Sequence, residues 1–99
     1  MPAYLISDVT AKDTEAFKTY RTRAAASIAQ YGGRYLVRGG SFERLEGGWV
    51  PRTIIIVEFS CLECARAWYR SSEYAWALEV RDAALSRNLI LVDGISESA

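Results

Sequence analysis

The sequence predicts an α+β fold, a four-stranded antiparallel sheet with helices on one face, in the order βαββαβ and with the second helix broken. Three observations carry that expectation. Apolar residues recur at helical spacing between residues 13 and 31. A nearly continuous apolar, β-branched run occupies residues 52–59. Glycine pairs at 32–33, 39–40 and 47–48 punctuate the chain between and after these segments, where backbone must turn sharply or pass close to a neighbour.

Ala3 to Val9 is mixed apolar and reads as the first strand. Asp13 is a natural N-cap for the long helix that follows, with Thr10 as the competing start. That helix ends at Gly32-Gly33, and Phe17, Tyr20, Ala24, Ile28 and Tyr31 form its apolar stripe. Arg34 to Arg38 is the second strand, Gly47-Gly48 the tip of a hairpin, and Arg52 to Phe59 the third strand. Ser60-Cys61-Leu62-Glu63 matches a capping box, so a short helix starts after Ser60 and runs to about Arg70. Ser71-Ser72 interrupts it, and a further helix spans about Glu73 to Arg87. Leu89 to Val92 is the last strand, closed by Asp93-Gly94 ahead of a polar tail expected to fray. No linker or low-complexity segment divides the chain, so residues 1–99 read as a single domain. This order is the split βαβ or ferredoxin-like arrangement. Its helices cover one sheet face, whereas the third strand reads as buried on both. A second copy packing sheet to sheet would bury the other face, which predicts a homodimer.

Composition excludes several function classes. The 12 basic and 12 acidic residues cancel, and no basic run stands out, so neither nucleic acid nor a membrane surface is an expected partner. The start lacks the basic and long apolar segments of a signal peptide, and the longest aliphatic stretch, Ile54 to Val57, is too short to cross a bilayer. A cytoplasmic protein is expected. There is no histidine, which removes imidazole bases, His-paired nucleophiles and His-ligated haem or zinc. Acid–base chemistry would fall to carboxylates, Tyr, Cys, or the only lysines, Lys12 and Lys18. With no phosphate loop or dinucleotide fingerprint either, no cofactor and no metal site is expected.

Tyr20-Arg21, the tract Tyr31-Gly-Gly-Arg-Tyr-Leu-Val-Arg-Gly-Gly40, Glu46-Gly47, Trp49, Pro51, Glu58-Phe59, Ala67-Trp68-Tyr69, Ser71, Tyr74 and Arg81 resemble the bacterial domain of unknown function 1330 family over almost the whole chain. The resemblance implies a dimeric α+β barrel, in a superfamily that includes cofactor-free monooxygenases, lactone isomerases and haem enzymes. It assigns no activity. The chain departs from the family pattern at Cys61 and Cys64, where small residues are usual, and at Thr14, where proline often starts the helix.

Two constellations are candidates for chemistry. Arg38 and Glu58 lie on neighbouring strands, as an anion clamp and a general base or, in the plainer reading, as a structural ion pair. A two-residue turn at Gly47-Gly48 places Arg38 opposite Val57, and one bulge, near Gly39-Gly40 or Pro51, places it opposite Glu58. Trp68, Tyr69, Ser72 and Tyr74 around the helix break, with Tyr20 on the first helix, are candidate substrate-binding residues. The plainer reading of the aromatics is core, which is favoured for Trp76 at helical spacing, while the break favours Tyr69 and Tyr74 as pocket residues. Cys61-Leu-Glu-Cys64 has the C-x-x-C spacing of a redox or disulfide pair at a helix start, but in the wrong order of elements for a thioredoxin-type site. Glu43, Arg44 and Glu46 read as solvated hairpin charges, with Glu46 alternatively capping a partner's pocket. The function expected is a small-molecule-binding protein or cofactor-independent enzyme acting on a small anionic or aromatic metabolite. A non-catalytic dimerisation or ligand-sensing module is the alternative, and the sequence does not decide between them.

Overall fold

The computed structural model describes residues 1–95. Its elements are β1 (Ala3–Ala11), α1 (Thr14–Gln30), β2 (Arg34–Arg38), β3 (Ile54–Phe59), α2 (Leu62–Tyr69), α3 (Ser72–Leu78), α4 (Arg81–Ala84) and β4 (Leu85–Asp93). The four strands form one antiparallel sheet in the order β2-β3-β1-β4, with the helices on one face. The α+β, ferredoxin-like arrangement expected from the element order is the one observed. Its predicted polar tail falls largely on residues 96–99, outside the described residues.

Strict alternation along β1 explains how the sheet separates its two faces. Ala3, Leu5, Ser7 and Val9 are buried beneath the helices, while Tyr4, Ile6 and Asp8 point to the other side. Across the inner face, Leu5 lies between Val57 and Leu91, and Val9 lies beside Arg87. On the outer face, Ile6 lies between Ile56 and Ile90. Phe59, Trp68 and Tyr74 are the large residues buried completely in the core. The Trp68 indole donates to Ser27 Oγ at 2.9 Å, and that hydroxyl donates to the Ala24 carbonyl at 2.8 Å, so the polar edge of the indole is satisfied inside the core.

Asp13 is the N-cap of α1, accepting from the Glu15 amide at 3.0 Å, which settles the choice against Thr10. The helix closes on Gly32, whose φ of +77° is costly for any residue with a Cβ. At the second helix the capping box does not form. Cys61 rather than Ser60 is the N-cap, and Glu63 turns to Arg66 in a local ion pair. Cys61 and Cys64 are joined as a disulfide with Cα atoms 5.2 Å apart, which holds the first turn. Ser71 makes the break that follows. Its hydroxyl donates to the Trp68 carbonyl at 2.7 Å and accepts from the Tyr74 amide at 3.0 Å, ending α2 and capping α3.

Three expectations are overturned, the first two by strand pairing. The segment expected to be one helix to Arg87 contains α3, the single turn α4, and then strand from Leu85. Ala83, Ala84 and Leu85 are good helix formers, but β1 continues two residues beyond Val9, and Leu85 and Ser86 pair with Ala11 and Thr10. Sheet hydrogen bonds override local propensity. Gly47-Gly48 is not a two-residue turn. Strand pairing ends where the Gly39 amide donates to the Ile54 carbonyl at 2.9 Å, and residues 39–53 form an irregular loop. Its returning leg is held to the outer face by Asp8, whose carboxylate accepts from the Trp49 indole at 3.0 Å and the Arg52 amide at 2.9 Å. Those two donors, the Arg52 amide foremost, hold the Asp8 carboxyl below its ordinary range. Trp76, expected in the core, is 52% exposed, with the Arg23 guanidinium stacked 4.2 Å from its ring centre.

Candidate functional site

A cavity of about 210 Å³ lies between the inner sheet face and the helices. Its floor is apolar, from Leu5 and Val9 on β1 and Ile55 and Val57 on β3. Phe17, Tyr20 and Ala24 of α1 and Trp68 of α2 roof it. Three arginines also line it: Arg21 from α1, Arg38 from β2 and Arg87 from β4. No aspartate or glutamate is among its lining residues.

Arg38 reaches this cavity because β2 is bulged. Arg34 pairs with Glu58 and Tyr35 with Val57, but Val37 pairs with Ile56 and Arg38 with Ile55, leaving Leu36 as the extra residue. Without the bulge, alternation from Tyr35 would turn Arg38 to the outer face. With it, Tyr35 and Arg38 share the inner face, and the guanidinium sits 3.7 Å from the centre of the Tyr35 ring. Burial holds the Tyr35 phenol above its ordinary range against the pull of Arg38 and Arg21.

The same register separates Arg38 from Glu58. Arg38 opposes Ile55 on the inner face, whereas Glu58 lies on the outer face, its Oε1 2.8 Å from Arg34 Nε. Neither register left open by the sequence is the one observed: the bulge falls at Leu36 rather than beside Gly39 or Pro51, the loop is far longer than a tight hairpin, and Arg38 faces Ile55 instead of Val57 or Glu58. Glu58 therefore has no access to a ligand held by Arg38, and the two do not form one site.

The aromatic candidates divide. Tyr20 and Trp68 line the cavity. Tyr74 is buried behind it, with its hydroxyl oxygen 2.7 Å from that of Tyr20. Tyr69 stacks on Tyr74 with ring centres 5.7 Å apart, but is 47% exposed and faces shallower clefts outside the cavity. Ser72 is exposed on the first turn of α3 and lines no cavity described here. Sequence reasoning missed Arg87. Placed in a helix it carries no signal, and only its inward position opposite Val9 brings it to the cavity. Its Nη1 donates to the Tyr20 oxygen at 2.6 Å and its Nη2 to the Tyr74 oxygen. Burial, then the adjacent Tyr74, holds the Tyr20 phenol well above its ordinary range, and Arg87 opposes this without reversing it. Tyr20 is thus a neutral hydroxyl at physiological pH.

The sequence matches DUF1330, a domain of unknown function, over residues 2–95. This chain belongs to that family. Among curated proteins, none matches it significantly. Of solved structures, a protein of unknown function from Rhodopseudomonas palustris superposes with a TM-score of 0.77 at 18% identity, covering 96% of this chain and 83% of the other. SnoaB, a cofactor-independent oxygenase from Streptomyces nogalater, gives 0.66 at 12% identity, covering 96% and 94%. A dimeric protein of unknown function and ferredoxin-like fold from Bacteroides fragilis gives 0.61 at 11%, covering 94% and 96%. At these identities the likeness establishes the fold of the DUF1330 chain and nothing about its chemistry. Among the described residues, no helix is long and apolar enough to cross a membrane.

Proposed function

We propose that this DUF1330 protein binds a small molecule with an anionic or aromatic group in the cavity between sheet and helices, as a binding protein or cofactor-independent enzyme, and that it does so as a homodimer. One observation carries the reading: Arg21, Arg38 and Arg87 line an otherwise largely apolar cavity that offers no carboxylate to balance them. Arg21 and Arg38 are exposed, and water solvates them, but Arg87 is partly buried, and like charges converging on an apolar cavity favour an anion there. Their ring contacts, Arg21 on Phe17 and Arg38 on Tyr35, hold the side chains without neutralising them. The cofactor-independent oxygenase SnoaB supports the enzymatic form of the reading, since it is built on the same fold.

Arg38 is the anion clamp in this proposal, and the test is titration with benzoate, an aromatic carboxylate small enough for the cavity. In Arg38→Ala, benzoate affinity falls roughly tenfold, the size of one charge-assisted hydrogen bond. Unchanged affinity in a folded variant would sink the clamp.

A non-catalytic ligand-sensing or dimerisation module draws on one specific observation. Glu58, the candidate base, is committed to Arg34 on the outer face, and the cavity holds no carboxylate to move a proton. Quantitative recovery of unaltered ligand after prolonged aerobic incubation would favour this second reading.

A further inference from the structure

Arg87, Tyr20 and Tyr74 form a closed triangle whose protons can be counted. Arg87 donates to both phenol oxygens, through Nη1 to Tyr20 at 2.6 Å and through Nη2 to Tyr74. The two oxygens are 2.7 Å apart, so one phenol proton lies between them. The other phenol proton has no acceptor among the described residues. Tyr74 is fully buried and does not line this cavity, so the outlet for its proton among the described residues is the Tyr20 oxygen. Tyr20 then accepts twice, from Arg87 and from Tyr74, and turns its own proton toward the cavity that it lines. Two donors on one oxygen polarise that O–H, and such chains reinforce one another away from water.

We propose that the Tyr20 hydroxyl, set by Tyr74 and backed by Arg87, is the docking point for one anionic oxygen of the ligand, a carboxylate or phenolate oxygen on an apolar or aromatic body. The proposal rests on the cavity being the ligand site. It adds a neutral hydroxyl donor for the same anionic group that Arg38 attracts, since both side chains line the one cavity. The Arg87 cation has phenols but no carboxylate beside it among the described residues, so the ligand oxygen supplies the missing negative charge.

The test uses two probes on the full chain: benzoate, and 4-nitrophenol, whose phenol and phenolate differ in colour. The wild-type protein binds at least one of them, and bound 4-nitrophenol is enriched in phenolate relative to free dye at the same pH. Tyr20→Phe keeps the ring, which packs edge-on to Tyr74 at 6.5 Å, so the fold survives. It weakens the bound anion tenfold or more. Arg87→Met lowers the phenolate fraction of bound dye, a readout that a purely structural residue would not move. Tyr69→Phe, outside the cavity, changes neither. Loss confined to benzoate, or to the dye, tells a carboxylate site from a phenolate site. Equal anion affinity in wild type and Tyr20→Phe, or dye bound only as neutral phenol with no benzoate binding, overturns this subsite and leaves the cavity standing. Failure of the wild type to bind either probe overturns both.

Discussion

Close packing at single residues sets where the backbone must lack a side chain. Gly33 follows Gly32 just past the end of α1, and a Cβ there would lie 2.7 Å from Ile28 Cγ2 and 2.8 Å from Phe59 Cε1. Both neighbours are buried, and a β-branched chain and a ring in a packed core have little room to give. Gly33→Ala is therefore an overpacking substitution that destabilises by about 1–3 kcal/mol, despite the lower backbone entropy that alanine brings to the unfolded chain. Gly48 has no atom within 4 Å of the same added carbon, so Gly48→Ala is close to neutral. Thermal melting of the pair separates the two cases, by roughly 4–8 °C for each kcal/mol in a domain of this size. Equal melting temperatures would mean that the contact at Gly33 relaxes at no cost. Loop glycines and core glycines look alike in the sequence, and only the superposition of Ile28 and Phe59 on one point distinguishes them.

The elements legible in the sequence were those whose signal is local. Asp13 as a cap, the α1 stripe and the β-branched third strand each express a short-range preference, and the βαββαβ order followed. What was not legible depends on pairing partners. Ala83-Ala84-Leu85 carries helical propensity, yet the chain leaves the helix after Ala84 because β1 extends to Ala11 and offers hydrogen bonds to Leu85 and Ser86. The β2 bulge is likewise invisible locally, yet it decides that Arg38 and not Val37 meets the cavity. So Tyr20, Arg38, Trp68 and Tyr74 were readable as candidates from the sequence, while Arg87 was lost with the strand that carries it. The start of α2 poses its own question, since the capping-box reading needs no bond between its cysteines while their spacing fits a disulfide. The Cys61–Cys64 bridge closes a very short loop, for which chain entropy alone gives about 2 kcal/mol of stabilisation. A reductant should then lower the melting temperature of the wild type and leave a Cys61→Ser/Cys64→Ser variant unmoved. Two alkylatable thiols in the untreated protein would show that the bridge does not form in solution.

At the scale of the whole molecule, the shape itself is a physical problem. The chain is a slab of 44 × 38 × 16 Å, one layer of helices on one sheet, and among the described residues no second layer of elements covers the sheet's other face. Ile90, 58% exposed, and Val92 lie on that face beside the half-buried Ile6, Ile54 and Ile56. An apolar surface of this kind costs roughly 25 cal/mol for each Å² kept in water. The loop of residues 39–53 adds Leu45, Trp49 and Val50, all exposed, and Asp8 anchors its returning leg to the same face. Both features are accounted for together if a second copy packs sheet to sheet and the loops of the two chains reach across it. The proposed homodimer has its centre at Ile56, where the outer-face row Val37, Ile56, Ile6 and Ile90 crosses the sheet. Ile56→Asp would bury an unpaired carboxylate there, and a charge without a partner in an interface costs several kcal/mol. Sedimentation equilibrium should give the wild type about twice the chain mass of 11.1 kDa and Ile56→Asp the single chain mass. Because the cavity lies on the opposite face of the sheet, benzoate binding by the monomeric variant should persist at reduced affinity. A wild type that sediments as a monomer at all concentrations would leave the outer face unexplained and remove the homodimer from the proposal, without touching the argument for the cavity.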